Sequence, residues 1–246
     1  AGLITRPPLE APHHTASPAA VIGGGSGIPR PGAASRAHLG VLMLDEAPEF
    51  GARVLETLRQ PLESGELVLD RAAGSARYPA RFQLVLAANP CPCGLNTGKA
   101  LDCTCSSIQR RRYLSKLSGP LLDRVDLQID VLPSRAAVLS GEQGESSAVV
   151  AARVKQARER MRSRWHSLPW STNAAVPGSW LRRQHPLQGS AAKGIARAVD
   201  RGSLTLRGAD RVHRMAWTLA DLGGRERPGD QDVAAAMTLR MRGSHG

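Results

Sequence analysis

Aromatic residues are scarce in this chain: four Trp, two Tyr and two Phe make 3% of 246 residues. That excludes base stacking on aromatic platforms as the main way of holding a nucleic acid. Long apolar runs are missing too. None approaches the roughly 18 residues that cross a bilayer, and no charged-then-apolar leader opens the sequence. A cytoplasmic protein without membrane attachment is expected. There is no Gly-x-x-x-x-Gly-Lys-Ser/Thr phosphate loop. The run Gly23-Gly24-Gly25-Ser26-Gly27 has neither the lysine nor a preceding buried strand, so it is not read as one. No methionine starts the chain, and Ala1-Gly2-Leu3-Ile4 reads as the interior of something longer. Acidic residues are in deficit: 21 Asp and Glu face 33 Lys and Arg, a formal charge of +12. The excess is mostly arginine spread along the chain, which favours a polyanionic partner, nucleic acid or nucleotide phosphate.

What is present begins with Gly40-Val41-Leu42-Met43-Leu44-Asp45-Glu46. Four apolar residues without alternation suit a strand buried on both faces of a parallel sheet. Two acids at its end belong at the carboxyl edge, where open α/β sheets bind ligands. This is the shape of a Walker B element, with Asp45 holding Mg²⁺ through water and Glu46 polarising the attacking water. Phe50, Val54, Leu55, Leu58 and Leu62 then share one helical face, with Pro61 bending the last turn and Gly65 stopping it. Residues 67–81 read as a β-hairpin carrying Arg71, Arg77 and Arg81, able to touch phosphates without reading sequence. Phe82 to Ala88 repeats the buried apolar run and ends at Asn89, whose amide can hold a water or a phosphate oxygen. The 38 residues before Leu39 are too rich in Pro, Gly, Ser and His for a long regular element, and His13 and His14 are assigned no chemistry.

All four cysteines fall in the loop 91–105, as Cys91-Pro92-Cys93 and Cys103-Thr104-Cys105. Two close pairs in a reduced compartment follow the logic of a Cys₄ zinc site, with free thiols as the alternative. Arg124 lies just before a third expected strand, Leu127 to Val131, where a neighbouring subunit can present its nucleotide. The remainder is helical. Val150, Val154, Ala157, Met161 and Trp165 form one stripe, Thr205 to Leu222 is the strongest helix, and a last helix starts near Pro228 and Asp230. A boundary is expected between Pro133 and Ser147.

The order of these motifs is specific: Ala11-Pro12-His13-His14, the glycine run, the strand to Asp45-Glu46, the arginine hairpin, Asn89-Pro90-Cys91-Pro92-Cys93-Gly94, and Leu117-Ser118-Gly119-Pro120-Leu121-Leu122-Asp123-Arg124-Val125-Asp126. It resembles the magnesium-chelatase-like AAA+ ATPases of the ComM/YifB family over nearly the whole chain. The resemblance implies an α/β fold: a partial AAA+ P-loop NTPase core at 1–138, with the inserted hairpin 67–81 and the cysteine loop 91–105, then a small α-helical lid at 147–246. It implies ATP and Mg²⁺ as cofactors, Asn89 as sensor 1, Arg124 as the arginine finger and Arg207 as sensor 2, with Arg211 and Arg214 as fallbacks. It further implies a homo-oligomer, most simply a hexamer, driving branch migration on single-stranded or branched DNA with the hairpin facing the pore. The family's Walker A loop precedes its Ala-Pro-His-His segment, so the chain is expected to be the C-terminal part of such an ATPase. Alone it is expected to hydrolyse ATP hardly at all.

Two other readings compete. One is a magnesium-chelatase subunit that couples the same core to metal insertion into a porphyrin. The other is a non-catalytic, zinc-stapled DNA-binding module, whose binding would depend on salt and not on nucleotide.

Overall fold

A computed structural model describes residues 5–25, 29–71, 74–97, 102–131 and 144–241. The chain divides into two compact units, residues 1–125 and 126–246, and each has its own core. Much of the expected boundary segment, 133–147, lies outside the described residues.

The first unit is an α/β fold. Its opening segment holds only short pieces: β1 (Leu9–Glu10), α1 (Pro18–Val21), the antiparallel pair β2 (Gly23–Gly24) and β3 (Arg30–Pro31), and α2 (Ala33–Arg36). These pieces are nevertheless structural. Val21, Ala33, Ala34 and Ala37 are buried in the unit's core, and β1 pairs in parallel with β4 (Val41–Leu44). Gly40 permits that pairing: a Cβ there would sit 1.9 Å from the Pro8 carbonyl oxygen. The Val41 N–H donates to the same oxygen over 2.8 Å.

After β4 the expected helix is split into α3 (Ala52–Thr57) and α4 (Arg59–Ser64) at Leu58. Pro61 has no N–H for the Thr57 carbonyl, so the helix cannot run through. Gly65 ends it with φ 74°, its N–H donating to the Pro61 carbonyl. The predicted face packs inward: Phe50, Val54, Leu55 and Leu58 are at most 2% exposed. The hairpin β5 (Glu66–Arg71) and β6 (Gly74–Pro79) follows, with Val68 opposite Arg77. Leu67 and Leu69 enter the core, and Tyr78 donates to the Pro29 carbonyl.

Strand β7 (Gln83–Leu86) completes a parallel sheet in the order β1-β4-β7. The sequence predicts β7 to be buried on both faces, but Val85 is 39% exposed. Among the described residues β7 is an edge strand, so one face is left partly open. Two helices close the unit, α5 (Ser107–Leu114) and α6 (Gly119–Leu122). Helix α5 begins with a reciprocal capping box between Ser106 and Gln109.

The predicted strand Leu127 to Val131 does not form. Asp126 is ion-paired with Arg211, and the Gln128 N–H donates to the Leu239 carbonyl over 2.8 Å. This segment therefore belongs to the second unit and finds its partners on helices.

The second unit is helical: α7 (Ser147–Arg164), α8 (Gly178–Gln184), α9 (Gly189–Asp200), α10 (Leu206–Leu222) and α11 (Asp230–Met241). Helix α10 is the centre and buries Val212, His213, Ala216, Trp217 and Ala220. The α7 stripe is buried only from Ala157 onward; Val150 and Val154 stay 37% and 43% exposed, because α7 meets α10 through its C-terminal half. There all four tryptophans gather, with Trp165 6.0 Å from Trp180 and 6.3 Å from Trp217. Beside them lies a buried polar knot. Asp221, fully buried, takes both guanidinium arms of Arg164 and the amide of Asn173. Asn173 in turn accepts from the Trp165 indole over 3.0 Å. Among the described residues no helix is long and apolar enough to cross a membrane.

His213 makes this unit acid-sensitive. It is 4% exposed, and its Nε2 lies 2.9 Å from the His185 carbonyl, an arrangement for a neutral imidazole that donates. Burial pushes its pKa down from 6.5 to about 4. The unfolded state then binds the proton more readily. Stability is complete above pH 6.5 and falls as the pH drops toward 4, costing on the order of 3 kcal/mol in all. Urea unfolding followed by circular dichroism across this range checks the slope. His213→Gln, which keeps a donor but cannot titrate, is expected to flatten it.

Candidate functional site

Strands β4 and β7 bring Asp45, Glu46 and Asn89 to one edge of the sheet. The two strands are parallel and in register, Leu44 opposite Leu86. Their bonding continues past the strand ends: Ala87 N–H donates to the Leu44 carbonyl over 3.0 Å, and Ala47 N–H to the Ala87 carbonyl over 2.8 Å. The acidic pair is thereby fixed beside the segment ending in Asn89, and all three residues are exposed. Two carboxylates and an amide at such an edge can hold a hydrated divalent cation and orient a water.

Glu46 has a left-handed backbone, φ 50° and ψ 43°, which is uncommon for a residue with a side chain and tends to mark functional turns. Its N–H donates to Asp45 Oδ1 over 2.9 Å. Its Oε2 lies 3.0 Å from Nδ1 of His14, on the loop that leaves β1. The His13 ring packs on that of His14 with centroids 4.1 Å apart, and His13 Nδ1 meets the Thr15 hydroxyl at 2.8 Å. His14 is thus a member of the edge that sequence reasoning passed over. The Ala11-Pro12-His13-His14 motif marked the segment, but a two-residue strand has no period from which to read where His14 lies.

Asn89 is also tied from below. Tyr113 of α5 is 4% exposed, and its hydroxyl lies beside the Asn89 backbone, which moderates the rise of its pKa. Burial raises its pKa, and the charges of Glu49 and Glu46 add to the rise.

Arg124, the expected finger, is 10% exposed at its side chain. It is held by the Glu63 carboxylate and by the Pro120 carbonyl at 2.6 Å. It lines a cavity of about 370 Å³ with Glu56, Glu63, Leu67 and Leu69. The Ser118 hydroxyl, and after it Arg59, hold the Glu56 carboxyl there below its ordinary range. The sequence offered no sign of the Glu63 contact, which spans 61 positions.

Arg207 lies in the first turn of α10 and is exposed. The fallback positions serve the second unit's own fold: Arg211 pairs with Asp126, and Arg214 Nε donates to the Val176 carbonyl over 2.8 Å. On the hairpin, Arg77 is exposed, 3.7 Å from the Glu66 carboxylate. Arg81 lies just past β6, its stem over Gly65, where a Cβ would meet Arg81 Cγ at 2.7 Å. The Arg71 backbone pairs with Gly74; its side chain lies outside the described residues.

The four cysteines converge. Their Sγ atoms all lie within 4.8 Å of one another. Cys91 is 3.3 Å from Cys93 and 3.8 Å from Cys103, and Cys93 is 3.8 Å from Cys103. The Leu95 backbone N–H, with help from the Cys91 thiol, lowers the pKa of Cys93 to about 6. Such a cluster can hold a metal ion.

Comparison with known proteins gives the family. The sequence model described as "Magnesium chelatase, subunit ChlI" matches residues 1–139, and that described as "Magnesium chelatase, subunit ChlI C-terminal" matches residues 144–240. An uncharacterised protein of Mycobacterium tuberculosis is 54% identical over 242 residues, covering 98% of this chain and 48% of that protein. The competence protein ComM of Haemophilus influenzae is 42% identical over 235 residues, 95% of this chain and 45% of its own. The uncharacterised protein YifB of Escherichia coli is 43% identical over 217 residues, 87% of this chain and 42% of its own. The chain therefore spans about half the length of the curated relatives it matches. Since the first of the two models covers more than half of its residues, the chain belongs to the magnesium chelatase subunit ChlI family and is similar along most of its length to ComM and YifB.

Proposed function

We propose that this chain is the part of a cytoplasmic AAA+ ATPase that completes ATP hydrolysis at subunit interfaces and drives movement on DNA. The observation that carries the reading is the pairing of the Asp45-Glu46 edge with Asn89 on adjacent parallel strands. Asp45 holds the hydrated Mg²⁺ of the nucleotide, Glu46 polarises the attacking water, and Asn89 orients it. ATP supplies the phosphoryl group. Arg124 acts on the nucleotide of the neighbouring subunit, so phosphate oxygens compete with Glu63 for its guanidinium. Arg207 contacts the γ-phosphate. A ring of identical subunits, most simply a hexamer, follows from that division of labour.

DNA enters through charge. The chain carries +12, and exposed Arg77 and Arg81 lie on and beside the hairpin. Such side chains hold phosphates without reading bases. The thiol cluster adds zinc. Four thiolates around Zn²⁺, at about 2.3 Å each, stand roughly 3.8 Å apart, the separation seen for Cys103 from Cys91 and from Cys93. Cys91, Cys93, Cys103 and Cys105 would hold the ion in a closed, structural site.

In the full-length gene product, single-stranded DNA is expected to stimulate ATP turnover. Arg77→Ala is expected to weaken DNA binding on all sequences alike and to flatten its dependence on log salt by about one unit of slope. ATP turnover indifferent to DNA, with metal insertion into a porphyrin in its place, would assign the core to a chelatase.

A further inference from the structure

We infer that the metal held by Cys91, Cys93, Cys103 and Cys105 sets the position of Asn89, and so belongs to the nucleotide edge of the sheet and not to a separate binding module. The inference rests on the zinc reading and on Asn89 as an edge residue.

The path of the chain carries it. Asn89 leaves β7 exposed, and only Pro90 separates it from Cys91, which is fully buried. Prolines at 90 and 92 restrict the backbone on both sides of that anchor. The second cysteine pair ends at Cys105, and the next residue, Ser106, is the N-cap of α5 with its reciprocal capping box. A cap of this kind fixes where the helix begins. Helix α5 then carries Tyr113 back to the Asn89 backbone. A closed circuit results: strand end, first thiol pair, second thiol pair, capped helix, tyrosine, and the strand end again.

Among the described residues, other contacts join the arms: the Cys103 thiol lies 3.8 Å from those of Cys91 and Cys93. Arg110 Nη1 donates to Asn96 Oδ1 over 3.1 Å, which joins α5 to the loop at an exposed rim. Tyr113 is the inner tie. Among the described residues, the two arms are held without a metal by these contacts and by packing around the buried Cys91. With it, four thiolates fix both arms to one point, the thiol protons leaving to solvent as the ion binds. Order at that point passes to Asn89 through the one intervening proline and through α5. A site that bound DNA as a separate staple would not need its cysteines spliced between a strand-end amide and the helix that clasps it.

The test uses the full-length gene product and the metal alone as probe. The parent protein is expected to hold about one zinc per chain, and cobalt in its place should give thiolate-to-metal charge-transfer absorption. Cys103→Ser with Cys105→Ser leaves the buried Cys91 intact and should abolish both. Amide exchange at residues 87–91 should then rise about tenfold. kcat should fall about tenfold while KM for ATP holds within about twofold, as expected when a positioning contact is lost. Removing zinc from the parent with a chelator and restoring it should reproduce and reverse these changes, which keeps the test open if the serine variant folds poorly. Tyr113→Phe should retain zinc yet raise exchange at Asn89. Thiols that take up neither zinc nor cobalt overturn the inference, as does zinc loss that leaves exchange at 87–91 unchanged. Zinc content and exchange are read without ATP, so absence of ATP turnover would count against the ATPase reading and leave this one to be decided on its own.

Discussion

Replacing Glu46 with Gln is expected to lower ATP turnover by about 10²–10⁴-fold in the full-length gene product, the contribution of a positioned general base. ATP affinity should change by no more than about threefold, because in the proposed reading Asp45, one residue earlier, holds the metal. The amide keeps the size of the carboxylate but cannot accept a proton. The backbone bears on the variant's folding. Glu46 adopts φ 50°, a conformation the chain retains at a turn bound to β7 by the Ala47 and Ala87 hydrogen bonds, so the variant should fold as the parent does. Turnover and nucleotide binding measured side by side decide the matter. Equal loss of both would assign Glu46 to binding, and unchanged turnover would remove it from the reaction.

The second large effect lies in the helical unit. Asp221→Ala is expected to destabilise that unit by about 3–5 kcal/mol, the cost of leaving one half of a buried ion pair alone. Arg164 would lose both carboxylate contacts while 14% exposed and stacked 4.4 Å from the Trp217 ring. Asn173 would lose its 2.8 Å acceptor, and with it the hold on the Trp165 indole weakens. Asp221→Asn, which keeps the shape but not the charge, should cost less. Urea midpoints for the two variants order them. A loss below about 1 kcal/mol for the alanine would place the pair among those that contribute little.

The elements that carry local signals were legible. The apolar run to Asp45-Glu46, the helix stop at Gly65, the hairpin, the cysteine pairs and the helix expected from Thr205 to Leu222 all follow from residue types at fixed spacing, and each is found where its signal lies. What could not be read are relations between distant segments. The β1 strand is two residues long and has no alternation, so neither its place in the sheet nor the approach of His14 to Glu46 was visible. The Arg124–Glu63 pair and the approach of Tyr113 to Asn89 are tertiary contacts without a periodic sign. Leu127 to Val131 has strand-like composition, but it docks on a helix through Gln128 because Asp126 is already committed to Arg211. Edge position, and not composition, explains why Val85 faces out.

The aromatic residues, few as they are, divide cleanly between the units. Both tyrosines, Tyr78 and Tyr113, lie in the first; Trp165, Trp170, Trp180 and Trp217 lie in the second. Indole fluorescence therefore reports on the helical unit alone, and the close ring spacing, 4.8 Å for Trp170 and Trp180, lets excitation pass among the rings before emission. Light that excites only tryptophan is blind to melting of the sheet. Any change in that emission when nucleotide is added would be a message received by the helices.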